Sequence, residues 1–152
     1  MRILIAAVGR LRDGPEQALL QEYLRRVKWS TAVREVEERR PLPTPARMAR
    51  EAELLLGTVP DGAVMVALDE RGRTLSSQDF ATRLGTWRDQ GTDCLAFLIG
   101  GADGHDARVR ERADLVLSLG AMTWPHFLVR VLLAEQIFRA QSLLEGHPYH
   151  RG

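Results

Sequence analysis

The alternation of apolar runs with mixed polar and apolar stretches gives the first account of this chain. Arg2 to Val8 is a continuous apolar run closed by Gly9, the pattern of a strand buried on both faces. Asp13-Gly14-Pro15 opens a helix, with proline in the first turn where its missing N–H costs nothing, and Ala18, Leu19, Tyr23, Leu24 and Val27 line one side of it. Thr31 to Glu37 alternates and predicts a partly exposed strand. Residues 38–45 (ERRPLPTP) predict a loop, and Ala46 to Leu56 a second helix stopped by Gly57. Ala63 to Leu68 predicts another buried strand, running into the charged turn Asp69-Glu70-Arg71-Gly72-Arg73. Ser76 to Asp79 has capping-box spacing and opens a helix to about Gln90, which Gly91 ends. Cys94 to Ile99 is a fourth strand, followed by the glycine turn Gly100-Gly101-Ala102-Asp103-Gly104. A short polar helix, Asp106 to Arg112, leads to a fifth strand, Ala113 to Leu119.

The remaining segment, SLGAMTWPHFLVRVLLAEQIFRAQSLLEGHPYH, organises the rest. From Phe127 to Leu144 the apolar residues cover nearly every direction around a 3.6-residue period. A surface helix carries one apolar stripe, whereas a helix apolar on most sides is buried on most sides. Two readings stand: a central core helix, or a helix packed on its own sheet by one face and on a second copy by the other. The order βαβαβαβαβα predicts a single α/β domain with a mostly parallel sheet, and ligands of such sheets bind beyond the carboxyl ends of the strands. Three special turns fall at such ends: LDERG, IGGADG and SLGAMTWPH.

Composition narrows the field only slightly. The 152 residues are 45% hydrophobic and 27% charged, with a formal net charge of +1, so charge alone neither demands nor excludes a nucleic-acid partner. Lys28 is the only lysine. The lone Cys94 permits no disulfide within the chain and reads as a small buried residue. The opening MRILIAAVGR is too short for a signal peptide and no apolar run reaches membrane-spanning length, so the expected location is cytoplasmic.

Gly100, Gly101 and Gly104 permit close backbone approach to a ligand, or simply turn a strand into a helix; their spacing is neither the dinucleotide nor the phosphate-loop fingerprint. Asp69 and Glu70 read either as solvated charges or as an acid–base pair. His147 and His150 lack a third ligand, so no metal is expected.

LDERG, FLIGGADG, LSLGAMTWPHFLVRVLLAEQIFRA and the terminal HPYHRG resemble the SPOUT methyltransferases. Within them they resemble the RlmH family, which methylates N3 of a pseudouridine in large-subunit (23S) ribosomal RNA. The terminal PYH with the PH…VR…AEQ…RA pattern carries most of the likeness, and the N-terminal part matches more loosely. The resemblance implies an α/β fold with a C-terminal trefoil knot, S-adenosyl-L-methionine as cofactor, a homodimer and a ribosomal RNA substrate met on the assembled ribosome. Alternatives within and outside enzymes are another SPOUT activity, such as transfer RNA ribose methylation, and a ribosome-binding factor without catalysis. Carried over, the cofactor pocket comprises Leu68, Asp69, Gly100, Gly101, Leu119, Gly120, Ala121, Met122, Thr123, Trp124 and Pro125. Trp124 departs from the aliphatic residue expected before the proline and reads as a pocket lid or an RNA-facing group. Candidates for chemistry are His126, Arg130, Glu135, Arg139, His147, Tyr149, His150 and Arg151, although Glu135 and Arg139 also suit a plain i, i+4 pair. The tail reads as an ordered, extended lid over the pocket, of its own subunit or of its partner.

Overall fold

The computed structural model describes residues 1–151, leaving aside the side chain of His150. Five strands and five helices alternate: β1 (Arg2–Val8), α1 (Pro15–Arg26), β2 (Ser30–Val36), α2 (Thr44–Thr58), β3 (Val64–Thr74), α3 (Ser77–Asp89), β4 (Cys94–Ile99), α4 (Ala107–Arg112), β5 (Leu115–Ser118) and α5 (His126–Glu145). A 3₁₀ turn at Pro148–Arg151 closes the described chain. The strands form one sheet in the order β2-β1-β4-β3-β5, parallel in every pairing.

Period-2 alternation on the strands distributes side chains between two cores. Ile3, Ile5 and Ala7 point to the face covered by α1, α3 and α5, together with Leu20, Leu24, Phe80, Leu84, Leu133 and Ile137. Ala6 and Val8 point the other way, with Ala52 and Leu55 of α2 and Val109 of α4. Cys94 is buried and unpaired, as its setting in an apolar strand required. No helix among the described residues is long and apolar enough to cross a membrane.

Boundaries of α2 and β3 differ from the sequence reading for local reasons. Helix α2 begins at Thr44, since Pro45 is tolerated in a first turn, and it continues through the exposed Gly57 to Thr58, whose hydroxyl donates to Leu55 O at 2.6 Å. Strand β3 does not end at Leu68. Both Leu68 and Arg73 register with Leu117 of β5, so residues 69–72 bulge out of the sheet before pairing resumes. Gly72 makes that crossing possible: a Cβ there would lie 2.5 Å from the Val116 carbonyl oxygen. The expected cap holds, with Ser76 Oγ accepting from Asp79 N at 3.0 Å.

Helix α5 lies against α1 on one side and α3 on the other, with the sheet beneath it. Much of its all-round apolar character is therefore satisfied inside one chain. Its outward stripe runs Leu128, Leu132, Glu135, Arg139, and Leu128 is left 37% exposed.

Candidate functional site

A cavity of about 340 Å³ opens at the carboxyl ends of β3, β4 and β5, where the three special turns meet. The end of β3 and its bulge supply Leu68 to Arg71, the end of β4 and the glycine turn supply Ile99 to His105, and β5 with the segment after it supplies Leu117, Leu119, Gly120, Met122, Thr123 and Trp124. His126 and Val129 of α5 complete the wall. Of the expected pocket residues, Ala121 and Pro125 do not line it. Ala121 is exposed, and Pro125 serves as the N-cap position of α5.

Backbone geometry shapes this space. Gly100 packs so closely on the returning chain that a Cβ would lie 3.0 Å from Gly104 C, and Gly104 N donates to Gly101 O at 3.0 Å. At Gly101 a Cβ would meet Val8 Cγ1 at 3.1 Å and Glu51 Oε2 at 3.2 Å. Gly120 sits at φ +115, where other residues are strained, and Ser118 Oγ brackets it by accepting from its N–H and donating to its carbonyl, both at 3.1 Å.

Polar groups around the rim are mostly committed. The Asp69 carboxylate accepts from Arg71 N at 2.9 Å and lies 3.5 Å from Arg110, so Asp69 and the exposed Glu70 are not a matched acid–base pair. Asp103 pairs with Arg47 at 2.8 Å. His105, a wall residue that sequence reasoning missed, is 4% exposed and its Nε2 lies 3.0 Å from Leu98 O. Because a carbonyl only accepts, Nε2 carries the proton, and burial holds the imidazole below its ordinary pKa. A histidine just past a glycine turn at a strand end was the available signal.

The second wall of Trp124 faces another cavity of about 370 Å³, bordered by Thr74 to Ser77, Phe80, Leu132, Leu133 and Gln136. Leu117, Leu119, Gly120 and Trp124 belong to both cavities. Trp124 is thus a half-exposed partition.

The structure divides the candidate chemical groups between the start of α5, where His126 and Arg130 both lie beside Gly9, and its middle, where Glu135, Arg139 and Tyr149 meet. Among the described candidates, His126 alone lines the first cavity. Arg130, one helical turn on, is fully buried and points elsewhere. It donates to Glu35 Oε2 at 2.6 Å, to Gly9 O at 2.8 Å and to Val8 O at 3.2 Å, and its guanidinium lies over the Phe127 ring. Arg130 fastens α5 to the ends of β1 and β2. That commitment removes it from the groups able to touch a substrate.

Glu135 and Arg139 form the i, i+4 pair at 2.6 Å, and Tyr149 joins them, its hydroxyl donating to Glu135 Oε1 at 3.1 Å with the Arg139 guanidinium 5.1 Å from its ring centre. Tyr149 also packs edge-on against Phe138 and reaches Tyr23 OH at 3.4 Å. Burial, the Tyr23 hydroxyl and the Glu135 carboxylate push its phenol well above the usual range. His147 accepts from Tyr149 N through Nδ1 at 3.2 Å, and Arg151 is exposed. The tail is a 3₁₀ turn folded onto the middle and end of α5, not an extended strand over the cavity. The side chain of His150 lies outside the described part. At about 1.5 Å per residue, Arg139 stands roughly 20 Å along the helix from His126. A lid over its own chain's cavity is incompatible with this placement.

Residues 1–150 match the family described as Predicted SPOUT methyltransferase. The chain belongs to the SPOUT methyltransferases. Within that assignment it is 64% identical over 151 residues to a protein of Paramagnetospirillum magneticum named ribosomal RNA large subunit methyltransferase H, with 99% of both chains covered. Proteins of the same name from Rhodospirillum centenum and Rhodospirillum rubrum are 57% and 56% identical, again over 99% of each chain. Among solved structures, a Legionella pneumophila methyltransferase with bound SAM superposes with a TM-score of 0.50 at 13% identity. That match covers 90% of this chain and 65% of the Legionella chain, and it speaks to the SPOUT fold alone.

Proposed function

We propose that this SPOUT protein is an S-adenosylmethionine-dependent methyltransferase of large-subunit ribosomal RNA, acting on N3 of a pseudouridine. The observation that carries the reading is the cavity itself: three turns from separate strands converge on one space, in a chain matching rRNA methyltransferases over its whole length. The cavity fits the cofactor. It has the size of a small-molecule site, apolar walls from Leu68, Ile99, Leu117 and Leu119, and partly exposed glycine backbone at Gly101 and Gly120 for reading a purine. When bound, the cofactor supplies a methyl group already activated on a sulfonium. The protein's share is orientation, exclusion of water and handling of the acceptor's proton.

The β3 bulge crossing tightly over β5, with the segment 119–125 emerging beside it, supports the trefoil knot. A homodimer accounts for the outward stripe of α5. A closed pair uses one self-complementary patch, and two such helices packed antiparallel about Leu132 bury Leu128 and Leu132 against each other. The same pairing carries the Glu135–Arg139–Tyr149 cluster and tail of one copy toward the cavity end of the other. Because the tail cannot reach its own cavity, we assign it to the partner's, with Arg151 and Tyr149 holding RNA phosphate or a displaced base. The cytoplasm, where ribosomes work, is the matching location. Incubating the protein with labelled cofactor and ribosomes from cells lacking it tests the reading. Label on large-subunit RNA supports it, label mapped to a ribose favours another SPOUT activity, and no label leaves a binding factor.

A further inference from the structure

We infer that His126 is the general base that takes the N3 proton as the methyl group is transferred, an assignment that rests on the methyltransferase reading above. The acceptor N3–H bond breaks with its proton passing to an imidazole nitrogen. The N3 electron pair forms the N3–CH₃ bond, and the methyl–sulfur bond breaks with its pair staying on sulfur. Water then receives the proton from the imidazolium, so no further reactant is needed.

Placement carries the assignment. His126 is the first residue of α5 and the only one of the described candidates on the cavity wall. Neither ring nitrogen has a hydrogen-bond partner among the described residues, so a lone pair is free to accept. Other groups on the wall are less suited: the Asp69 and Asp103 carboxylates are engaged by arginines, and His105 is buried with its Nε2 on Leu98 O. The ring is held by packing. Its centre lies 4.2 Å from that of Phe127, and its Nε2 edge lies beside the backbone of Gly9.

The charges around it keep it neutral and ready. Burial and then the guanidinium of Arg130 hold it below its ordinary 6.5. The positive end of α5 acts in the same direction. On the β1 and β2 side the nearest charge is that of Arg130, itself paired with Glu35, which also accepts from Leu11 N–H. Asp69, Glu70, Arg71, Asp103 and His105 face the same cavity from the other elements.

Two measurements test this. Carbon-detected NMR titration of the histidines in the cofactor-free protein is expected to give His126 a midpoint below 6.5, whereas a midpoint above that value overturns the assignment. In ribosome assays, His126→Gln is expected to lower kcat by about 100-fold or more, the scale of general-base catalysis, with cofactor affinity by calorimetry within about threefold. The acidic limb of the kcat/KM profile should then give way to a linear rise with hydroxide. A kcat within threefold of the unaltered protein, a limb that survives in His126→Gln, or a limb abolished only by removing the tail histidines would each contradict it. So would a rate loss matched by lost cofactor affinity. Absence of transfer by the unaltered protein sinks the methyltransferase reading, and this inference with it. Loss confined to the variant leaves that reading standing.

Discussion

Arg130 and His126 look alike in the sequence as polar residues one turn apart at the start of an apolar helix, yet they do opposite jobs. Arg130 is buried with bonds to Glu35 and two carbonyls. Hydrogen bonds to a charged group contribute on the order of 1.5–3 kcal/mol each, and the cost of burying the guanidinium offsets part of this. Arg130→Met is therefore expected to lose roughly 3 kcal/mol in urea unfolding, with a loss under about 1 kcal/mol contradicting the account. The pH dependence follows from Glu35. Burial raises its carboxyl, but Leu11 N–H and Arg130 outweigh that and leave it below 4.5. Its share of stability is present above about pH 4.5 and is lost as pH falls through the lower folded value, so the gap between unaltered protein and variant should narrow on acidification. Gly101 is the second sensitive position. Gly101→Val forces its Cβ against Val8 and Glu51 and shifts the glycine turn that lines the cavity, so calorimetry should show weakened cofactor binding in a folded protein. Unchanged affinity would remove the glycine turn from the pocket. Which side of the helix a polar residue faces was not legible without the packing of β1 and β2 against α5.

At the level of elements, periodicity served well where it was strong. Cys94–Ile99 and Arg2–Val8 form strands with the expected bounds, and the alternation of strands and helices holds throughout. It failed at LDERG, where charged residues suggested a turn and the chain instead bulges and resumes pairing with β5. No local pattern announces a bulge fixed by a distant strand. The apolar roundness of α5 is largely met inside the chain, since α1 and α3 cover its flanks and leave Leu128, Leu132 and their neighbours outward. Phe138, which packs on Tyr23 and Tyr149 of its own chain, is thus a poor probe of a dimer. Leu132→Glu is the better one. It should sediment as a folded monomer at micromolar concentration and lose methyl transfer. A dimer in that variant would place the interface elsewhere.

Across the whole molecule, the converging turns were legible because βαβ order puts strand ends on one edge of the sheet, and the tail's course was not, because Tyr149 anchors it through Glu135 and Phe138. Deleting residues 147–152 should leave folding, dimerisation and most cofactor affinity intact while lowering methyl transfer by orders of magnitude. In mixed dimers, one subunit without the tail and one carrying Gly101→Val, a tail acting in trans restores one working site, and a tail acting in cis restores none. Methyl transfer from labelled cofactor to ribosomes of cells lacking this protein, followed by mass spectrometry of the RNA, reads the proposed activity itself. One added methyl group is expected, on the base of a large-subunit pseudouridine at N3. A methyl group on a ribose, on another base or on no RNA at all would contradict it.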